Sequence, residues 1–142
     1  MMARLTQGLV GFLLAAAPAP ALADPAGLYC AGDGASFLIG RHAGDDAIAL
    51  RISSWQGMHH CGIEGTATAA PDGWLLVTGG CTLHLREESD AIVLAASPRD
   101  ACAQFCGARA DLNGVTFPQS GRVTARPDPS LFARDLGELD PC

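Results

Sequence analysis

Six cysteines and four histidines are the residues of this chain best suited to metal or redox chemistry. All six cysteines lie after position 23, behind a segment that predicts export. That segment, Met1–Ala23, has one arginine, an apolar run at Leu9–Ala17 and a small-x-small cleavage site that ends at Ala23. We therefore interpret residues 1–23 as a cleaved signal peptide. We expect a periplasmic or secreted protein with no membrane span, since the apolar run is too short for one.

In an oxidising compartment an even number of cysteines predicts disulfides rather than thiols. Cys61 and Cys81 form the best predicted disulfide, because the strand register given below places them directly opposite each other. A bond between Cys102 and Cys106 is disfavoured, since neighbours one helical turn apart do not direct their Cβ atoms toward each other. The other pairings stay open among Cys30, Cys102, Cys106 and Cys142.

The C-x-x-x-C spacing of Cys102 and Cys106 supports a second interpretation. Two thiolates one helical turn apart, together with a histidine, form a soft site of the kind that binds copper. His59 and His60 do not make such a site, because adjacent residues of a strand point to opposite faces. We predict no metal site and no cofactor, and we keep copper binding through Cys102 and Cys106 as the alternative function.

No motif in the sequence predicts catalysis. The chain has no G-x-S-x-G, no H-E-x-x-H and no glycine-rich phosphate loop between a strand and a helix. The acidic pairs Asp45-Asp46 and Glu87-Glu88 fall in predicted turns, where solvated carboxylates are usual. We therefore predict no catalytic residues and a protein that is not an enzyme. A small hydrolase is a weaker alternative.

Short apolar runs separated by turn residues predict an all-β fold, a single small antiparallel barrel or sandwich held by disulfides. Three hairpins account for most of it: Ser36–His42 with Ala47–Ser53, Cys61–Thr68 with Trp74–Cys81, and Cys81–Arg86 with Ala91–Ala96. Matching the apolar alternation across each turn predicts the register. The pairs that define it are Arg41 with Ile48, Thr68 with Trp74, and Leu85 with Ile92.

After Pro98 the sequence no longer follows the pattern of alternating apolar runs and turns. Asp100–Ala110 predicts a short helical segment that ends near a glycine, and Val115–Pro118 predicts one more short strand. Residues 24–125 then form the β domain, and the proline-rich residues 126–142 form an extended C-terminal tail.

The charge of the chain restricts its partners. Without residues 1–23 it has eight arginines, no lysine and 15 acidic residues, which gives a net charge of −7. Nucleic acids and anionic membranes bind cationic patches, so this charge argues against both. It permits a basic protein as partner.

A loop at Ser53–His60 carries the residues most suited to contact such a partner. Trp55 there is either a core residue or an exposed contact residue, and the sequence leaves both open. We predict a non-catalytic binding protein, with a basic exported protein as the candidate partner and acidic residues that steer it. The candidate contact residues are Trp55, Gln56, Met58 and His59, with the acidic turn Glu87, Glu88 and Asp90.

Two resemblances bear on this prediction. The segment Cys106–Gly114 reads C-G-x-R-A-x-L-x-G and resembles a segment of small exported proteobacterial proteins of uncharacterised function. The plan of an exported, acidic, disulfide-bonded β domain is similar to that of the periplasmic inhibitors of C-type lysozyme. Those inhibitors use an S-G-x-x-Y loop, whereas Tyr29 of this chain has no Ser-Gly before it. The similarity therefore implies a lysozyme as one candidate partner and assigns no site residue.

Overall fold

The structure is a computed structural model that describes residues 15–16 and 24–142. Apart from positions 15 and 16, the predicted signal peptide lies outside the described residues. Nine strands, one α-helix (α1) and three short 3₁₀ turns make up the described chain. The strands are β1 Gly27–Cys30, β2 Phe37–Gly44, β3 Ala47–Gln56, β4 His59–Ala70, β5 Gly73–Thr78, β6 Cys81–Glu88, β7 Ala91–Ser97, β8 Thr116–Pro118 and β9 Arg122–Thr124; α1 spans Arg99–Ala103, and the 3₁₀ turns span Gln119–Gly121, Pro129–Phe132 and Leu136–Glu138.

The strands form one antiparallel sheet that nearly closes into a barrel. Neighbours follow the order β8-β7-β6-β5-β4-β3-β2-β1-β9, so the two edge strands are consecutive in the chain. The segment 116–124 pairs with β7 through its first part and with β1 through its last part. The predicted all-β fold with a short helical segment is confirmed, and the sheet has the form of a nearly closed barrel. No helix among the described residues is long and apolar enough to cross a membrane.

The predicted hairpins exist, but their registers differ because the turns are tighter or contain an irregularity. Arg41 pairs with Ala49, one residue beyond the predicted partner, since the register shifts between His42 and Gly44. Trp74 pairs with Ala69 because only two residues separate β4 from β5.

A two-residue turn also separates β6 from β7, so that Leu85 pairs with Leu94 rather than with Ile92. Ser89 and Asp90 in this turn both have positive φ, as in the primed turns that match strand twist. The shift of two residues leaves the leucines and Ile92 on their predicted face.

Apolar side chains fill the barrel. Leu38, Leu50, Ile52, Leu83 and Leu85 are all at most 1% exposed, and they belong to one cluster that spans the interior. A barrel of about eight strands has an interior just wide enough for its own side chains. The interior therefore serves as a hydrophobic core rather than as a ligand cavity.

A second, smaller core lies on the outer face of β1 and β2. The predicted pair of Arg41 with Ile48 also places Phe37 and Ile39 on one apolar face with Leu50. In the structure Phe37 and Ile39 point outward instead and are buried by the chain after residue 126. Residues 126–142 contain two 3₁₀ turns and bring Leu139 onto this face, with Cys142 bonded to Cys30.

The predicted Cys61–Cys81 disulfide is wrong. Gly79 and Gly80 have positive φ and form a turn, so Cys81 begins β6 instead of ending the preceding strand. Cys61 on β4 is then separated from Cys81 by β5.

Each of these two cysteines bonds to a cysteine of the segment that contains α1, and α1 is shorter than predicted. The three disulfides are Cys30–Cys142, Cys61–Cys106 and Cys81–Cys102.

Arg51 joins the barrel to the C-terminal segment. Its side chain projects from the outer face of β3 and is 8% exposed. One guanidinium nitrogen donates to the carbonyls of Leu131 and Arg134, both at 2.6 Å, and the guanidinium also pairs with Glu64. Because backbone carbonyls without donors are costly once buried, Arg51 fixes the course of this segment.

We expect Arg51→Ala to lower the free energy of unfolding by about 2–4 kcal/mol, since the two carbonyls lose their charged donor. Arg86→Ala is the matched control, because Arg86 and its partner Glu88 are 40% and 50% exposed; its expected effect is below about 1 kcal/mol. Urea denaturation measures both. Equal losses in the two variants would contradict the role of Arg51.

Non-reducing peptide mapping should recover three cross-linked pairs, with Cys61 joined to Cys106 and Cys81 joined to Cys102. We also expect Ellman titration of the denatured, unreduced protein to find no free thiol. A peptide that joins Cys61 to Cys81 would overturn the arrangement of α1 over the barrel.

Candidate functional site

The β3–β4 hairpin presents two large apolar side chains to solvent at one end of the barrel. We call residues 55–60 the hairpin tip. Trp55 is 47% exposed and Met58 is 91% exposed. Of the two interpretations that the sequence left open for Trp55, the structure shows the partly exposed one.

The hairpin tip is held from both sides. Trp55 donates its backbone N–H to the hydroxyl of Ser36 at 2.8 Å. The side-chain amide of Gln56 donates to the carbonyl of Asp111 at 2.6 Å and accepts from its N–H at 3.0 Å. Beneath the tip, the Cys61–Cys106 bond ties β4 to the segment after α1. Such support keeps exposed contact residues in one conformation.

His60 packs against Trp55 and hydrogen-bonds to Ser53. The two ring centroids are 4.6 Å apart, and the imidazole Nε2 lies 2.8 Å from the Ser53 hydroxyl. Burial lowers the pKa of His60 below its ordinary value, so the ring is neutral at pH 7. A serine beside a neutral imidazole is also the arrangement of a nucleophile and its base, but Ser53 is only 3% exposed. The geometry therefore favours support of Trp55 over attack on a substrate.

The predicted acidic turn lies far from the hairpin tip. β4 runs away from the tip, β5 returns and β6 runs away again, so the β6–β7 turn is at the opposite end of the barrel. Glu87 and Glu88 end β6, and Asp90 lies in that turn. The structure brings Trp55 and Gln56 together with Met58 and His59, but it does not bring the acidic turn to them.

Other carboxylates lie next to the hairpin tip. Asp33 and Asp111 line an open pocket of about 320 Å³, together with Trp55, Gln56 and Ser54. Neither acid was among the predicted site residues, because they lie 78 positions apart in the sequence and stand in unremarkable loops. Only the closed barrel brings the loop that contains Asp33 beside the hairpin tip.

Hydrogen bonds keep the Asp33 carboxylate ionised. Partial burial favours its neutral form, but the carboxylate accepts from the hydroxyl and N–H of Ser36 and from the N–H of Ala35. These bonds outweigh burial and hold the pKa of Asp33 below its usual value. Asp33 thus carries a full negative charge at neutral pH and, through Ser36, connects to Trp55.

The alternative function, copper binding, required Cys102 and Cys106 as thiolates. Cys102 and Cys106 are both in disulfides, so neither supplies the thiolate that copper binding requires. Among the residues that the structure describes, no group of three or more histidine, cysteine or acidic side chains could hold a metal ion.

Comparisons with protein-family models, with curated proteins and with solved structures found no match to this chain. The hairpin tip and the pocket beside it are the features of the described residues that bear on function.

The His60 environment predicts a pH-dependent stability. Because its folded pKa is lowered, the unfolded chain takes up a proton first, and the free energy of unfolding should fall as the pH drops from 7 through the ordinary histidine value of 6.5 and below. We expect His60→Gln, which keeps a hydrogen-bonding partner for Ser53, to make this fall shallower. His42→Gln is the control, since its ring is 51% exposed. Denaturation at a series of pH values measures the slope; the same slope in His60→Gln as in the native sequence would contradict this account.

Proposed function

We propose that this chain is an exported, non-catalytic binding protein of the periplasm or extracellular space that contacts its partner through the hairpin tip. The observation that carries the proposal is the exposure of Trp55 and Met58 on a rigidly supported turn. Aromatic residues and methionine are enriched at the centres of protein interfaces, whereas a folded chain gains nothing from presenting them to water.

The filled barrel supports the same proposal. Because the interior holds buried side chains such as Ile63 and Phe117, a partner must be bound at the surface. Loops at the ends of a rigid scaffold are the usual place for such contacts. The barrel then acts as the support that fixes the geometry of the tip.

The charge of the chain supports a basic partner. A net charge of −7 after removal of residues 1–23 attracts a cationic protein at distances over which salt does not screen the charges. A basic exported protein, with a C-type lysozyme as one candidate, fits both the compartment and the charge. Asp33 and Asp111 supply the local negative charge that the far acidic turn does not.

Capture from an exported-protein fraction tests the proposal. We expect immobilised residues 24–142 to retain a basic protein at low salt and to lose most of it at high salt, since charge steering is screened. The double variant Trp55→Ala, Met58→Ala should bind at least about tenfold more weakly, as truncation of a contact centre costs 1 kcal/mol or more for each residue. Affinity is then measured by titration with the purified partner.

Two controls separate binding from folding. Val77→Ala, Val123→Ala removes a similar kind of exposed side chain, 67% and 64% exposed, from other strands of the barrel. This control should bind as the native sequence does, and thermal melts should show both double variants folded. Equal loss of binding in both, or unchanged binding in the tip variant, would overturn the hairpin tip as the contact site.

A further inference from the structure

We propose that the pocket beside the hairpin tip receives the guanidinium group of an arginine side chain of the partner. This inference rests on the proposed function and adds the chemistry that the partner must present. Two negative charges and several oxygen acceptors line the pocket, and Trp55 borders it.

The lining of the pocket is rich in hydrogen-bond acceptors. Besides Asp33 and Asp111, the lining residues include Ser36, Ser54 and Thr116. The Ser36 hydroxyl is already engaged, since it donates to Asp33 and accepts from the Trp55 N–H. Ser36 and Ser54 are each 4% exposed, so they form the floor of the pocket rather than its rim. None of the residues that line the pocket is basic. A cationic donor therefore complements it in charge and in hydrogen bonding.

The two carboxylates of the pocket have different partners within the described chain: Asp33 has no cation beside it, and Asp111 has one exposed arginine. Asp33 accepts hydrogen bonds from neutral groups of its own loop, among them Ser36 and Ala35, and these bonds keep it ionised. Asp111 lies 3.8 Å from the guanidinium of Arg99, whose side chain is 91% exposed. Such an exposed pair contributes little, so an entering cation displaces Arg99 at small cost.

Arginine fits this lining better than lysine does. A guanidinium is planar, presents five N–H donors in a fixed fork and can bind a carboxylate with two parallel hydrogen bonds. It also stacks on aromatic rings, and Trp55 borders the pocket with 47% of its surface exposed. A lysine ammonium is a compact, strongly hydrated point charge that uses fewer of these groups.

The experiment titrates the ¹⁵N-labelled protein, residues 24–142, with N-acetyl-arginine methylamide. Matched probes are the citrulline analogue, a neutral isostere, and the lysine analogue. We expect saturable shifts of the Ala35 and Ser36 amides, which donate to Asp33, and of the indole N–H of Trp55. The indole of Trp74, 7% exposed and on β5, should not move.

Substitutions of single residues test which carboxylates bind the arginine analogue. We expect Asp111→Asn to weaken the binding of the arginine analogue about fivefold, which is the effect of losing one exposed ion pair. The Oδ1 atom of the asparagine still accepts a hydrogen bond from the Asn113 N–H, so the loop keeps its conformation. Asp33→Asn should weaken the binding of the analogue likewise. Arg99→Gln should strengthen it about twofold by removing the competing cation. Asp45→Asn, an equal charge change in the β2–β3 turn, is the control and should have no effect.

Either of two results would overturn the inference: citrulline or lysine probes that bind as well as arginine, or arginine binding unchanged in Asp33→Asn and Asp111→Asn. The result is separable from that of the proposed function. If capture of the partner depends on Trp55 and Met58 but the arginine analogue does not bind the pocket, only this inference is overturned and the proposed function stands. Arginine binding without capture leaves the pocket as a guanidinium site and removes the proposed partner.

Discussion

The end of the barrel that carries the hairpin tip depends on two disulfides. They join one short segment of the chain, which contains α1, to two strands of the sheet. Cys102 lies on α1 and Cys106 follows it, and they bond to Cys81 on β6 and to Cys61 on β4. Loops of 21 and 45 residues are closed in this way, each worth roughly 3–4 kcal/mol through the unfolded chain in the entropic account. The segment 98–115, with little regular structure of its own, is thereby fixed over the barrel, and it carries Asp111 to Gln56.

The C-terminal segment also has little regular structure of its own. Residues 126–142 have few apolar side chains of their own, and they are ordered by the Cys30–Cys142 disulfide, by the apolar surface that they cover and by one buried cation. Phe37 and Ile39 supply the apolar surface, and Arg51 supplies donors to two carbonyls. This explains why β2 begins with three consecutive apolar residues: both of its faces are buried there, as in strands covered on two sides.

The sequence was sufficient for the fold class, because alternation and turn residues are local signals that a barrel must satisfy. It was insufficient for the cysteine pairing. A turn at Gly79-Gly80 places Cys81 at the start of β6 instead of at the end of the strand before it, and this changes the cysteine that it can reach. It was also insufficient for the site. Trp55 and Met58 were identifiable from their polar, glycine-containing loop, but Asp33 and Asp111 become neighbours of that loop only through closure of the sheet.

The carboxylates at the two ends of the barrel differ in their partners, and this difference bears on where a partner protein binds. At the far end, Glu88 pairs with the Arg86 guanidinium at 3.2 Å, and at the tip end Asp111 has the exposed Arg99 at 3.8 Å. At the tip end, Asp33 orders its own loop through neutral donors and keeps its charge for solvent. A partner's cation therefore meets a carboxylate whose hydrogen bonds already fix its position, so that association orders few groups that were mobile before.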